Sequence, residues 1–126
     1  AARASPTHAA DALRAMDALM AEAADWSRQR VQQGLSAVNI GGAVASGTLL
    51  FGAVGDATRL EYTVIGDAVN LAAKLEKQNK AEAVRALTDA ATYAHAQRHG
   101  YAPVKEVRPA RRVGGVELPM DLVVLA

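Results

Sequence analysis

Asn70 and Lys74 stand four residues apart in a stretch whose apolar residues recur at helical spacing, so their side chains share one face, one turn from each other. A neutral amide and a cation placed together in the first two turns of a helix suit a sugar and a phosphate. An amide can bond a sugar oxygen, and an ammonium can neutralise charge building on a transferring phosphorus. Ala68, Leu71, Ala72 and Leu75 form the apolar stripe that holds such a helix to a sheet, which leaves Asn70 and Lys74 on another side. Two other sets invite a chemical reading. Arg111-Arg112 is a phosphate clamp or, more simply, a solvated loop pair. His8, His95 and His99 raise a metal site, but His95 and His99 have no neighbouring carboxylate or third ligand of the right type, so surface or helix-end histidines are the simpler reading.

The elements that must position these groups follow from periodicity and punctuation. Ser5-Pro6-Thr7 is a helix entry, with hydroxyl caps and a proline tolerated in the first turn. Leu13, Met16, Leu19, Met20, Ala23 and Trp26 then recur at helical spacing, predicting a helix from Pro6 to Gln33 closed at Gly34. From Val38 the period becomes two, predicting a strand that bends at Gly47 and continues through Leu49-Leu50-Phe51. After a turn at Gly55-Asp56, Leu60 to Ile65 alternates again, and the two strands read as an antiparallel hairpin. Gly66-Asp67 opens a helix over 68–77 with Asp67 as N-cap. Val84 to Leu87 is a short strand, Thr88 or Asp89 caps a helix ending near Gly100, and 104–107 and 118–125 form a last hairpin around Gly114-Gly115. The order of helix, two strands, helix, strand, helix, two strands is that of an α+β domain.

Composition sets the outer bounds. The 126 residues make one small domain or part of a larger one. They are 51% hydrophobic, but much of this is alanine, with one Phe and one Trp, so the core is thin for its length. A net charge of +1 gives no reason to expect nucleic acid or an anionic membrane. The absence of cysteine excludes disulfides, thiolate catalysis and thiolate metal sites. No apolar run is long enough to span a bilayer.

The segment from Arg59 to Leu75, RLEYTVIGDAVNLAAKL, resembles the strand-turn-helix segment of the class III adenylyl and guanylyl cyclases. The likeness takes in Gly52-Ala-Val-Gly55 and Glu76, and weakens outside Gly41 to Leu75. It implies a ferredoxin-like sandwich of the nucleotidyl cyclase type, and an adenylate cyclase of bacterial type converting ATP to cyclic AMP and pyrophosphate in signal transduction. It also implies a head-to-tail homodimer and two Mg or Mn ions. Carried onto this chain, Thr63 is the residue that reads the purine edge, a threonine there favouring ATP over GTP modestly. Asn70 orients the ribose. Lys74 stands where the family has an arginine that stabilises the pentacovalent phosphate, a change that keeps the charge and loses the two-pronged donor. Arg59 and one of Arg111 and Arg112 are candidates for the triphosphate.

The family's two metal-holding aspartates have no counterpart in this sequence. Residues 1–126 are therefore expected to be the later part of one catalytic domain, with the metal ligands elsewhere and no cyclisation by the chain alone. The expected location is the cytoplasm, with any membrane tether in other parts of the parent protein. Plainer readings stand beside these. Thr63 is a natural strand former, Asn70 an ordinary first-turn polar residue, and Lys74 a solvated lysine. Lysine in place of arginine also fits a catalytically inactive cyclase-homology module that dimerises or binds a regulatory nucleotide, and a ferredoxin-like ligand-binding domain with a chance motif is a weaker rival.

Overall fold

The computed structural model describes residues 5–47, 50–55 and 60–126, with backbone alone for 50–55 and 60–65. A 25-residue helix α1 (His8–Gln32) leads into strand β1 (Gly42–Val44). A hairpin of β2 (Leu50–Gly55) and β3 (Leu60–Ile65) follows, then α2 (Asp67–Glu82), β4 (Ala86–Asp89), α3 (Ala90–Arg98), β5 (Glu106–Arg111) and β6 (Met120–Val124). The α+β mixture expected from the order of elements is the one observed.

Four strands form one sheet in the order β1-β4-β6-β5, with β1 parallel to β4 and the other pairs antiparallel. Alternation along β4 and β6 divides the interior in two. Ala86 and Val123 face a cluster built on Ala9, Ala10, Leu13 and Met20 of α1 with Tyr93 and Ala96 of α3. Their neighbours Leu87 and Leu122 face Leu75 of α2 and Val113. Helices α1 and α3 therefore cover one face of the sheet, and α2 covers the other.

The strand expected over 38–51 is two strands in two sheets. Its alternation is real, but its amide groups are taken off the ladder at both ends. Val38 N–H donates to Ser27 Oγ at 2.9 Å, and Ser46 N–H donates to Thr92 Oγ1 at 3.2 Å. Between these two residues only Gly42 to Val44 is paired, against Ala86 to Thr88. The antiparallel hairpin itself is present, with Leu50 opposite Ile65 and Gly55 opposite Leu60.

Helix α2 is longer than its apolar stripe implied. It runs to Glu82, closed by Ala83 in the left-handed conformation. Gly66 rather than Asp67 is its N-cap, and Asp67 lies in the first turn, where its charge suits the helix dipole. Asp89 caps α3 as expected, accepting from Thr92 N–H at 3.0 Å. On α1, Leu19 and Trp26 are about half exposed although the stripe included them, and Arg30 lies over the Trp26 ring. Strand β5 begins and ends later than expected and contains Pro109, tolerated because β5 is the sheet edge. Among the described residues, no helix is long and apolar enough to cross a membrane.

Candidate functional site

Strand β1 ends at Val44, and the chain leaves the sheet through Ala45, Ser46 and Gly47 toward the first turn of α2. Gly47 lies so close to this helix that an added Cβ would stand 3.3 Å from the Ala68 Cβ. Between this loop and α2 is an open cleft of about 510 Å³ lined by Ser46, Gly47, Asp67, Ala68, Asn70, Leu71 and Lys74. The amide and the ammonium singled out by spacing thus share one cleft, at the helix end where backbone N–H groups favour negative charge. Asn70 is exposed and Lys74 half-buried.

Each is positioned by the helix they share. Leu75 is fully buried against Leu87 and Leu122, which fixes the rotation of α2 on the sheet. Asn79, one turn beyond, ties α2 to β1: its Nδ2 donates to Gly42 O at 3.0 Å and to Arg85 O at 3.1 Å. Lys74 Nζ donates to Gly115 O at 3.0 Å, so the loop before β6 reaches the cleft rim. Gln78 Nε2 holds the same loop through Arg112 O at 3.0 Å.

The other expected residues are placed differently. Arg112 is exposed, its guanidinium donates to Glu117 O at 3.0 Å, and it is not part of the cleft lining. Arg111 lies near Glu82, with Nε 3.5 Å from Oε1. Thr63 is in β3 opposite Gly52, and the position of its side chain lies outside the described structure. Arg59 lies outside the described residues altogether. Ser46, Gly47 and Asp67 line the cleft without having been assigned to it from sequence. The signal for the first two was the Gly41 to Gly47 segment, whose run into the hairpin also leads it past the helix.

His8, His95 and His99 do gather, with ring centroids 4.9 Å apart for His8–His95 and 4.7 Å for His95–His99. The ring planes of the two pairs are tilted by 40° and 38°. Among the described residues, no three of His, Cys, Asp and Glu form a cluster able to hold a metal ion. Asp67 is the sole carboxylate among the described residues of the cleft lining, so these residues do not fit a two-metal site.

No protein-family profile matches the chain. Over 54 residues it is 41% identical to an adenylate cyclase of Anabaena cylindrica, a stretch covering 43% of this chain and 11% of that protein. The guanylyl cyclase Cya2 superposes on 98% of the chain with a TM-score of 0.72 at 20% identity. The fold is that of a nucleotidyl cyclase catalytic domain. The adenylyl cyclase CyaB from P. aeruginosa shares the cyclase fold, over 90% of this chain, with a TM-score of 0.64 and 24% identity. The chain spans 60% and 58% of these two cyclase chains. Its cleft between β1 and α2 lies within the shared fold.

Proposed function

We propose that this chain supplies the ribose- and phosphate-binding part of a nucleotidyl cyclase site, acting on ATP in a head-to-tail pair of such domains. The observation that carries the reading is that Asn70 and Lys74 line one cleft at the start of α2. The cyclase fold and the 54-residue likeness to an adenylate cyclase support it. In this role Asn70 holds a ribose oxygen and so orients the 3′-hydroxyl. That oxygen forms a bond to the α-phosphorus, the bond from that phosphorus to the β-phosphate oxygen breaks, and the hydroxyl proton leaves. The products are cyclic AMP and pyrophosphate. Lys74 faces the phosphorus where negative charge develops. Thr63 reads the purine edge, and Arg59 and Arg112 meet the triphosphate, Arg112 by leaving the Glu117 carbonyl. The Mg or Mn ions that assist such a reaction would be held by residues other than those that line this cleft.

One observation favours a second reading. The Lys74 ammonium already has a protein partner in Gly115 O, as a structural lysine in a non-catalytic cyclase-homology module would. Incubating the full-length protein with Mn or Mg and either ATP or GTP separates the two. Cyclic AMP formed in preference to cyclic GMP is expected, and tight nucleotide binding with no cyclic product would leave the regulatory module.

A further inference from the structure

Ser46 enters the cleft from the β1 side, and its hydroxyl proton can be located by counting donors. Asp89 accepts twice from one residue: Thr92 N–H at 3.0 Å to Oδ2, and the Thr92 hydroxyl at 2.6 Å to Oδ1. Thr92 has a single hydroxyl proton, and Asp89 holds it. Yet Thr92 Oγ1 is also 3.0 Å from Ser46 Oγ and 3.2 Å from Ser46 N. With its proton committed, Thr92 Oγ1 can only accept, so both the N–H and the O–H of Ser46 donate to it. Thr92 is 1% exposed and Asp89 8%, so little water competes for these bonds, and the relay holds its direction.

The Ser46 hydroxyl is therefore left with lone pairs alone, and Ser46 lines the cleft together with Asp67, whose carboxylate is another acceptor. Phosphate oxygens are acceptors too and find no donor in these two side chains. A ligand hydroxyl can donate to it. Lys74, also on the lining, is the donor of opposite character. We infer that Ser46 is a specificity-determining acceptor that binds a ribose hydroxyl of the nucleotide, while the phosphate lies toward Lys74. This rests on the nucleotide reading of the cleft and adds to it a direction across the cleft.

The test uses full-length protein and calorimetric titration with ATP, 2′-deoxyATP and 3′-deoxyATP. One hydrogen bond to a neutral hydroxyl predicts that wild type binds one of the deoxy analogues about three- to tenfold more weakly than ATP. In Ser46→Ala this preference disappears, through weaker ATP binding and unchanged binding of that analogue. Ser46→Thr, which keeps the oxygen, retains the preference. Thr92→Val frees the Ser46 proton to rotate and lowers the preference with Ser46 in place, a change that lost packing alone would not confine to one analogue. Wild type that fails to discriminate, or a discrimination that survives Ser46→Ala, overturns the inference and leaves the nucleotide reading standing. Failure of all three nucleotides to bind wild type removes both.

Discussion

The Lys74 ammonium and the Gly115 carbonyl, 41 residues apart in sequence, meet at 3.0 Å. This is the first contact of a row along one face of α2. One turn on, Gln78 holds Arg112 O, and a further turn on, Glu82 Oε1 lies 3.3 Å from Arg108 Nη1 and 3.5 Å from Arg111 Nε. Residues 74, 78 and 82 repeat at i, i+4 and i+8, so a single helix face fastens β5 and the loop after it. The cation offered to the cleft is positioned by the last hairpin of the chain.

If the chain acts as proposed, replacing Lys74 by alanine lowers kcat of the full-length protein by roughly a hundredfold or more, with KM for ATP changed only several-fold, because the charge matters most where the phosphorus gains negative charge. Lys74→Arg restores a planar two-pronged donor and should keep most of the turnover. Steady-state kinetics decide this, and unchanged kcat in Lys74→Ala rules out the catalytic role.

Gly115 has φ +81°, and a Cβ there would lie 3.0 Å from Lys74 Cε. Gly115→Ala should cost about 1–2 kcal/mol from the left-handed backbone, read as a lower urea midpoint. Because the methyl also presses on Lys74, kcat should fall with it. A stability loss with full kcat would show that the loop contact does not position the lysine.

Asn79 is 6% exposed and bridges β1 to the end of α2 through Gly42 O and Arg85 O. Asn79→Ala leaves both carbonyls without that donor, so unfolding free energy should drop by about 1–3 kcal/mol. Denaturant titration measures it. A loss below about 0.5 kcal/mol would mean that water replaces the amide.

His95 is held below its usual value of 6.5, first by burial and then by His99, His8 and Arg98 around it. The folded chain therefore resists the proton that the unfolded chain accepts. The stability this contributes is fully present above pH 6.5 and is lost as pH falls below it, toward the lowered folded value. Melting temperature should fall from pH 7 to pH 5, and His95→Gln should make that fall shallower. Parallel profiles for the two proteins would show that the histidine cluster carries none of the pH dependence.

Much of the fold could be read from the residue pattern. The long α1, the Leu60 to Ile65 strand, the α2 stripe through Leu71 and Leu75, and the Asp89 cap are local features, set by periodicity within one element and by side chains a few residues away. The boundaries at residues 38–51 were not local. Alternation runs from Val38 to Val44, yet only Gly42 to Val44 pairs, because Ser27 and Thr92 take amide groups from Val38 and Ser46 across 11 and 46 residues. The half-exposed Leu19 and Trp26 fit a helical stripe equally well whether or not anything covers them.

The site divides in the same way. Sequence by itself determined that Asn70 and Lys74 share a helix face, because a fourfold spacing on a helix has one geometric outcome, and the segment around them resembles that of the cyclases. Only the tertiary structure decided that Ser46 and Asp67 join them in one cleft, that Gly115 O holds the Lys74 ammonium, and that Arg112 turns to Glu117 O instead. These contacts link residues tens of positions apart or depend on how a loop lies against α2, and neither distance nor direction between separate elements is encoded in the period of any one of them.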